Sequence, residues 1–72
     1  MLLIPNGLVL SQRERECLTM AAHGLTSDDM AFKLGITERT VRFHFSSIRS
    51  KLAAANRQEA VAKAVKNGLI DV

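Results

Sequence analysis

The segment from residue 26 to residue 52 constrains the fold most, because it holds a short helical pattern, a glycine and a longer helical pattern. In the longer pattern, TERTVRFHFSSIRSKL, the apolar residues recur at every third or fourth position: Val41, Phe45, Ile48 and Leu52. This spacing places them on one face of an α-helix. Gly35 lies between the two patterns and tolerates the left-handed backbone of a tight turn. The segment therefore predicts a helix-turn-helix, whose apolar faces further helices must cover.

Four helices are predicted in all, because the chain contains four start signals, each a polar residue that can cap a helix. The predicted N-caps are Ser11, Thr26 or Ser27, Thr37 and Asn56, and the predicted ends are Gly24, Gly35, about Leu52 and Gly68. No stretch alternates with the period of two that marks a half-buried strand. We therefore predict an all-α fold, a compact four-helix domain in which helices 2 and 3 form the helix-turn-helix.

The length of 72 residues allows one small domain at most. We predict that it spans residues 10–72, after a linker or N-terminal extension at residues 1–9 with turn chemistry at Pro5-Asn6-Gly7. The single cysteine, Cys17, excludes an internal disulfide and fits a reducing compartment, so a cytoplasmic location is expected. No apolar run approaches the roughly 18 residues of a membrane span.

The chain offers no residue constellation for catalysis. It shows no nucleophile–base pair and no glycine-rich loop for phosphates, and His23 and His44 lie far apart with no cysteine pair nearby. One histidine cannot form a metal site, which needs three or four ligands. The sequence therefore predicts that the chain is not an enzyme and that it uses no metal and no cofactor.

The positive charge is concentrated in and just after the longer helical pattern. Residues 37–57 hold five basic side chains and one acidic one, a net charge of +4, whereas the remaining chain holds five basic and six acidic ones. Clustered basic charge attracts polyanions, and nucleic acid is the commonest of these. The charge distribution therefore favours double-stranded DNA as a partner.

The face of the longer helix opposite its apolar stripe has the composition of a DNA-reading surface. A recognition helix enters the major groove with its N-terminal half, and here that helix is expected at about residues 38–52. Arg42, Phe43 and Ser46 lie outward on that half, so we predict that they contact bases. We expect the flanking residues Thr37, Thr40, Arg49 and Lys51 to hold phosphates.

The fourth helix has apolar residues on two sides, which implies burial on two sides. Ala60, Val61 and Ala64 suffice to pack the core. A second stripe, offset around the helix, is the predicted dimer contact: Ala62, Val65 and Leu69. An alternative is that Leu69 and Ile70 fold back onto the chain's own core.

With these residues in view, the chain resembles the C-terminal DNA-binding domain of LuxR-type bacterial transcription regulators. LSQREREC resembles the family's entry into helix 1, GLTSDDMAFKLGITERTVRFHFSSIRSKL its helix-turn-helix block, and ANRQEAVAKAV its fourth helix. Phe43-His44 and the ending KNGLI are most similar to the quorum-sensing branch that responds to acyl-homoserine lactones.

The resemblance implies a domain that binds DNA as a homodimer through helix 4, with helix 3 in the major groove. It also implies phosphate contacts at Thr26, Thr37, Thr40, Arg49, Lys51 and Arg57, and RNA polymerase is a further candidate partner. Two alternatives remain open at the level of the sequence. One is a promoter-binding segment like that of a sigma factor, and the other is a helical module that binds another protein.

Overall fold

The computed structural model describes residues 9–71, which form four α-helices and no strand. In chain order these are α1 (Gln12–Ala22), α2 (Ser27–Leu34), α3 (Glu38–Leu52) and α4 (Arg57–Lys66). The predicted all-α fold with a helix-turn-helix in helices 2 and 3 is therefore confirmed. The predicted linker at residues 1–9 lies outside the described residues except for Val9.

The helices begin where side chains cap their first N–H groups. Ser11 and Glu14 form a reciprocal capping box at α1, and Thr26 and Asp29 form another at α2. Because Thr26 supplies the cap, Ser27 is the first residue of α2. The hydrogen bonds that the exposed Asp29 carboxylate accepts at this cap lower its pKa below the ordinary value.

The turn between α2 and α3 reverses at Gly35, which has φ +67° and so occupies the left-handed region. The N–H of Ile36 then donates to the carbonyl of Ala31 at 3.0 Å, which closes the end of α2. A β-carbon at Gly35 would meet no atom within 4 Å, so the glycine is favoured by the backbone angle and not by crowding.

The core lies between the inner faces of the four helices, and α3 packs against each of the other three. Its stripe of Val41, Phe45, Ile48 and Leu52 is buried, as the periodicity predicts. The other core residues are Leu10, Cys17, Leu18, Met30, Ala31, Ala60, Ala64, Leu69 and Ile70. Because α1, α2 and α4 all pack against the apolar face of α3, the opposite face of α3 is directed toward solvent.

Candidate nucleic-acid interface

The outward face of α3 carries all three residues predicted to contact bases. Arg42, Phe43 and Ser46 are exposed, and Phe43 keeps 69% of its surface accessible. The Phe43 ring lies 6.2 Å from the ring of the half-buried His44, tilted by 59°. The Phe43 ring is therefore accessible to another molecule on the outward face of α3.

Arg42 is held in place by a neighbour on its own helix. Its Nη2 donates to Oε1 of Glu38 at 2.6 Å, one helical turn toward the N-terminus. Both side chains are at least a third exposed, so the pair adds only about 0.3–0.5 kcal/mol to stability. In this structure the pair directs the Arg42 guanidinium along α3 toward the N-terminus of the helix.

Three arginines and Phe45 line an open surface cavity of about 220 Å³. We call this cavity the arginine cup; its lining residues are Arg42, Phe45, Arg49 and Arg57. The Arg57 guanidinium lies over the Phe45 ring, 4.1 Å from its centroid, and its Nη2 donates to Ser27 Oγ at 2.7 Å. Arg49 donates through Nε to the Phe45 carbonyl at 3.4 Å.

The spacing of Arg42 and Arg49 by two helical turns indicates from the sequence that they share a face of α3. Arg57 begins another helix, and no local pattern shows that it returns to Phe45. Only the packing of α4 beside α3 brings the third guanidinium into the cup.

The threonines predicted to hold phosphates lie at the first turns of α2 and α3. Thr26 Oγ1 accepts from the N–H of Asp29, and Thr37 Oγ1 accepts from the N–H of Thr40, each at 3.1 Å. Thr37 and Thr40 also share a hydroxyl–hydroxyl hydrogen bond of 2.9 Å. Thr26 and Thr37 are exposed and Thr40 is half-buried, so these caps present hydroxyls beside the positive ends of the two helix dipoles.

Lys51 lies elsewhere, although it was predicted to hold a phosphate. Its Nζ donates to Glu14 Oε1 at 2.7 Å and to the Val9 carbonyl at 2.9 Å. Ser47 Oγ donates to the other oxygen of Glu14 at 2.6 Å, and Glu14 is only 4% exposed. The amine therefore serves the fold, where it compensates a buried carboxylate, and it is not aimed at the outward face.

The sequence predicts Glu14 only as a capping residue, and its tertiary partners were missed. Burial by itself raises the pKa of Glu14, but hydrogen bonds from Lys51, Ser47 and the Ser11 N–H outweigh burial and lower that pKa below its ordinary value. A glutamate and a lysine so far apart in the chain give no local signal of pairing.

The predicted dimer residues divide into two groups. Ala62 and Val65 are exposed on α4, and Val65 keeps 41% of its surface accessible. Leu69 is buried in the core at 3% exposure, because Gly68 (φ +68°) turns the chain and the Leu69 N–H donates to the Ala64 carbonyl at 2.8 Å. The alternative in which Leu69 and Ile70 fold back is the arrangement found, so Leu69 is not available to a partner.

Within residues 9–71, no group of three or more histidine, cysteine or acidic residues is placed to hold a metal ion. Cys17 is fully buried, and burial raises the pKa of its thiol, so it packs as a small apolar residue. None of the helices in the described part of the chain has the length and apolar character to cross a membrane.

A helix-turn-helix whose second helix turns arginines, an exposed phenylalanine and serine to solvent defines a class, the helix-turn-helix DNA-binding domains. Comparison with known proteins identifies the family. The family model for bacterial regulatory proteins of the luxR family matches residues 8–64. The chain belongs to this family, whose members are DNA-binding regulators of transcription and not enzymes.

Three relatives illustrate the similarity. The chain is 52% identical over 61 residues to the quorum sensing-dependent regulator RpaR of Rhodopseudomonas palustris, covering 85% of this chain and 25% of RpaR. It is 46% identical over 61 residues to the activator AhyR of Aeromonas hydrophila, covering 85% and 24% of the two chains. Against the activator LuxR of Aliivibrio fischeri it is 44% identical over 62 residues, covering 86% and 25%. The chain thus spans about a quarter of the length of these relatives.

Two solved structures share the fold. The transcription factor GerE superposes with a TM-score of 0.83 at 31% identity, over 86% of this chain and 92% of GerE. The response regulator ChrA of a heme-sensing two-component system gives 0.84 at 41% identity, over 88% of this chain and 31% of ChrA. These similarities confirm the predicted relationship to the LuxR-type helix-turn-helix domains.

Proposed function

We propose that the domain binds specific duplex DNA as a dimer on a two-fold-related site, with α3 in the major groove. The observation that carries the proposal is that Arg42, Phe43 and Ser46 share the exposed face of α3, beside the arginine cup. Basic charge at the rim attracts the backbone, and groups of different chemistry at the centre distinguish base pairs.

Each of the three central residues has a distinct role toward bases. Arg42 presents two parallel N–H donors that match O6 and N7 of guanine, a pair worth about 1–3 kcal/mol of discrimination. Phe43 offers an apolar surface to a thymine methyl group. Ser46 both donates and accepts, so it discriminates weakly and mainly fills the space beside its neighbours.

The phosphate contacts would come from three places around that face. The capping hydroxyls of Thr26, Thr37 and Thr40 lie at two helix N-termini, where the dipoles favour an anion. Arg49 and Arg57 add charge and planar hydrogen bonding. We leave Lys51 out of this set, because its amine is paired with Glu14.

The dimer contact is proposed on α4 through Ala62 and Val65. Small side chains permit close approach but bury little area, so the dimer should be weak without DNA. A two-fold axis here would space the half-sites by about one helical turn, or about 10 bp. Leu69 supports this surface only indirectly, as part of the core beneath α4.

The similarity to RpaR and to the LuxR activators supports a role in quorum-sensing transcription regulation in the bacterial cytoplasm. Because the chain covers only about a quarter of those relatives, we propose that a longer regulator couples this domain to a signal-sensing region. RNA polymerase is the proposed partner once DNA is bound.

Selection of binding sites from random duplexes tests the proposal directly. A palindromic consensus with half-sites about one turn apart is expected. Sedimentation on the selected site should show two copies per duplex. One copy per duplex would favour a segment like that of a sigma factor, and enrichment of no sequence at all would favour a protein-binding module.

A further inference from the structure

We propose that Glu38 is a positioning residue for base reading: it holds the Arg42 guanidinium in the orientation that meets guanine and so increases the preference for one base pair. The inference rests on the function proposed above and deepens it, because it assigns a role in specificity to a residue outside the base-contacting set. Its basis is that Glu38 lies one helical turn before Arg42, and its Oε1 accepts from Arg42 Nη2 at 2.6 Å.

Glu38 is the only acidic residue among residues 37–57, where the positive charge of the chain is concentrated. A carboxylate beside a DNA-reading face repels phosphates, so it costs affinity for every duplex. The helix dipole favours an acid in the first turn of α3, but the cap of this helix is made by Thr37, whose Oγ1 accepts from the Thr40 N–H. The cap therefore does not need Glu38, whereas a short hydrogen bond ties Glu38 to the residue proposed to read a base.

The bond to Glu38 leaves the reading end of Arg42 intact. A guanidinium carries five N–H donors, and this bond uses one proton of Nη2. The second proton of Nη2 and both protons of Nη1 remain for O6 and N7 of guanine, so carboxylate and base bind the same guanidinium together. The pair also directs Arg42 toward the N-terminal half of α3, which is the half of a recognition helix that enters the major groove.

Holding Arg42 in one direction lowers the entropic cost of recognising the correct base. The Arg42 side chain is 70% exposed, so without a neighbour it would sample many rotamers. Ordering one such side chain corresponds to about two- to tenfold in affinity. On a duplex without guanine at that position, Arg42 makes no bidentate contact and the gain is absent, while the carboxylate still faces the phosphates. Glu38 therefore raises the ratio of correct to incorrect binding.

The test measures this ratio directly, as the affinity for the selected site divided by the affinity for the same site with the base pair read by Arg42 exchanged. Glu38→Ala should lower the ratio by about two- to tenfold, because Arg42 is no longer pre-ordered. Glu38→Gln keeps a neutral acceptor for Arg42, so its ratio should fall between those of Glu38→Ala and the wild type.

Asp28→Ala is the matched control, because Asp28 is an exposed carboxylate in the first turn of α2, the other helix of the helix-turn-helix. It removes the same charge and should change the affinities for both duplexes alike, which leaves their ratio unchanged. Circular dichroism checks that each variant is folded. A ratio that stays at the wild-type value in Glu38→Ala, or that falls equally in Asp28→Ala, would overturn the proposed role.

A double-mutant cycle separates positioning from a general effect of charge or helix stability. In the Arg42→Ala background, Glu38→Ala should leave the remaining preference unchanged, because Glu38 acts only through Arg42. A loss of preference as large as that in the wild-type background would show that Glu38 acts on DNA by another route and would refute the inference.

NMR relaxation of the Arg42 Nε–Hε group in the free domain tests the pair without DNA. Glu38→Ala should make this group more mobile, and equal mobility in the wild type and the variant would contradict pre-ordering. The two proposals fail differently. A folded wild-type domain that prefers no duplex would refute the proposed function together with base reading, whereas a selective domain whose ratio ignores Glu38→Ala would refute the role of Glu38 alone.

Discussion

Lys51 Nζ lies 2.7 Å from Glu14 Oε1 and joins the last turn of α3 to the first turn of α1 across the chain. The same lysine donates to the Val9 carbonyl, and the Ser47 hydroxyl donates to the second oxygen of the Glu14 carboxylate. A buried carboxylate needs such partners, because desolvation alone would make its charge costly. This network therefore fixes how α3 is seated on α1.

Glu14→Gln should lower the free energy of unfolding by about 2 kcal/mol at pH 7, because the charged Lys51 amine loses its carboxylate partner and keeps only neutral acceptors such as the Val9 carbonyl. Urea denaturation measures the change. Glu16→Gln is the control, since Glu16 is more exposed and pairs with Arg13 only at 3.4 Å on the surface. Its cost should stay below about 0.5 kcal/mol, and equal costs for both variants would show that the buried network adds no stability.

The same network predicts a pH dependence. The pKa of Glu14 is lowered in the fold relative to its ordinary value of 4.5, so its contribution is complete above that value and is lost as the pH falls through the lowered pKa. The stability difference between the wild type and Glu14→Gln should therefore shrink as the pH falls below about 4.5. Urea denaturation at a series of pH values measures it, and a constant difference would contradict the assigned ionisation.

Ala53 is the only non-glycine residue in the described part of the chain with a positive φ, 52°, at the end of α3. Ala53→Gly should raise stability by about 0.5–1 kcal/mol, because the strain of the left-handed angle exceeds the added freedom of the unfolded chain. A change of 1 kcal/mol corresponds to about 4–8 °C in Tm for a domain of this size. Ala55→Gly, at an exposed residue without a positive φ, should give no gain.

Leu69→Ala should cost about 2–5 kcal/mol of stability in thermal or urea unfolding, because Leu69 is a buried core residue.

Val65→Glu should leave stability within about 0.5 kcal/mol but prevent two copies from loading on a palindromic site. Sedimentation with DNA measures the second effect. Normal loading of Val65→Glu would remove α4 from the proposed dimer contact.

Arg42→Ala should weaken binding to the selected site by about 1–3 kcal/mol and relax the preference at one base pair. Equal losses on selected and random duplexes would assign Arg42 to the DNA backbone instead.

Phe43→Ala should lower affinity for DNA because a contact with a thymine methyl group is lost. Phe32→Ala is its matched control. Phe32 is 89% exposed on α2 and is not among the residues proposed to contact DNA, so its loss should leave DNA affinity unchanged.

Arg49→Ala should reduce the slope of log affinity against log salt by about one, because one phosphate contact and its released counterion are lost. Lys51→Ala should instead reduce stability and leave that slope unchanged, since its amine pairs with Glu14. Affinities measured at several salt concentrations separate the two. A lower slope for a fully folded Lys51→Ala would return Lys51 to the phosphate contacts.

The sequence alone predicts the four helices, their caps and the glycine turn, because these depend on residues three or four positions apart. It also predicts that Arg42, Phe43 and Ser46 leave the core, since the buried stripe of α3 fixes which face remains. The periodicity of α3 alone therefore determines which residues form the proposed DNA-contacting face.

Tertiary structure alone decided the partner of Lys51, the burial of Leu69 and the closure of the arginine cup by Arg57. Each depends on how one helix is rotated and crossed relative to another, and side chains far apart in the chain meet only after that packing. For a residue at the border of the apolar face of a helix, the spacing in the sequence is compatible both with burial in the core and with exposure to solvent. The shape and burial of the neighbouring helix then select one.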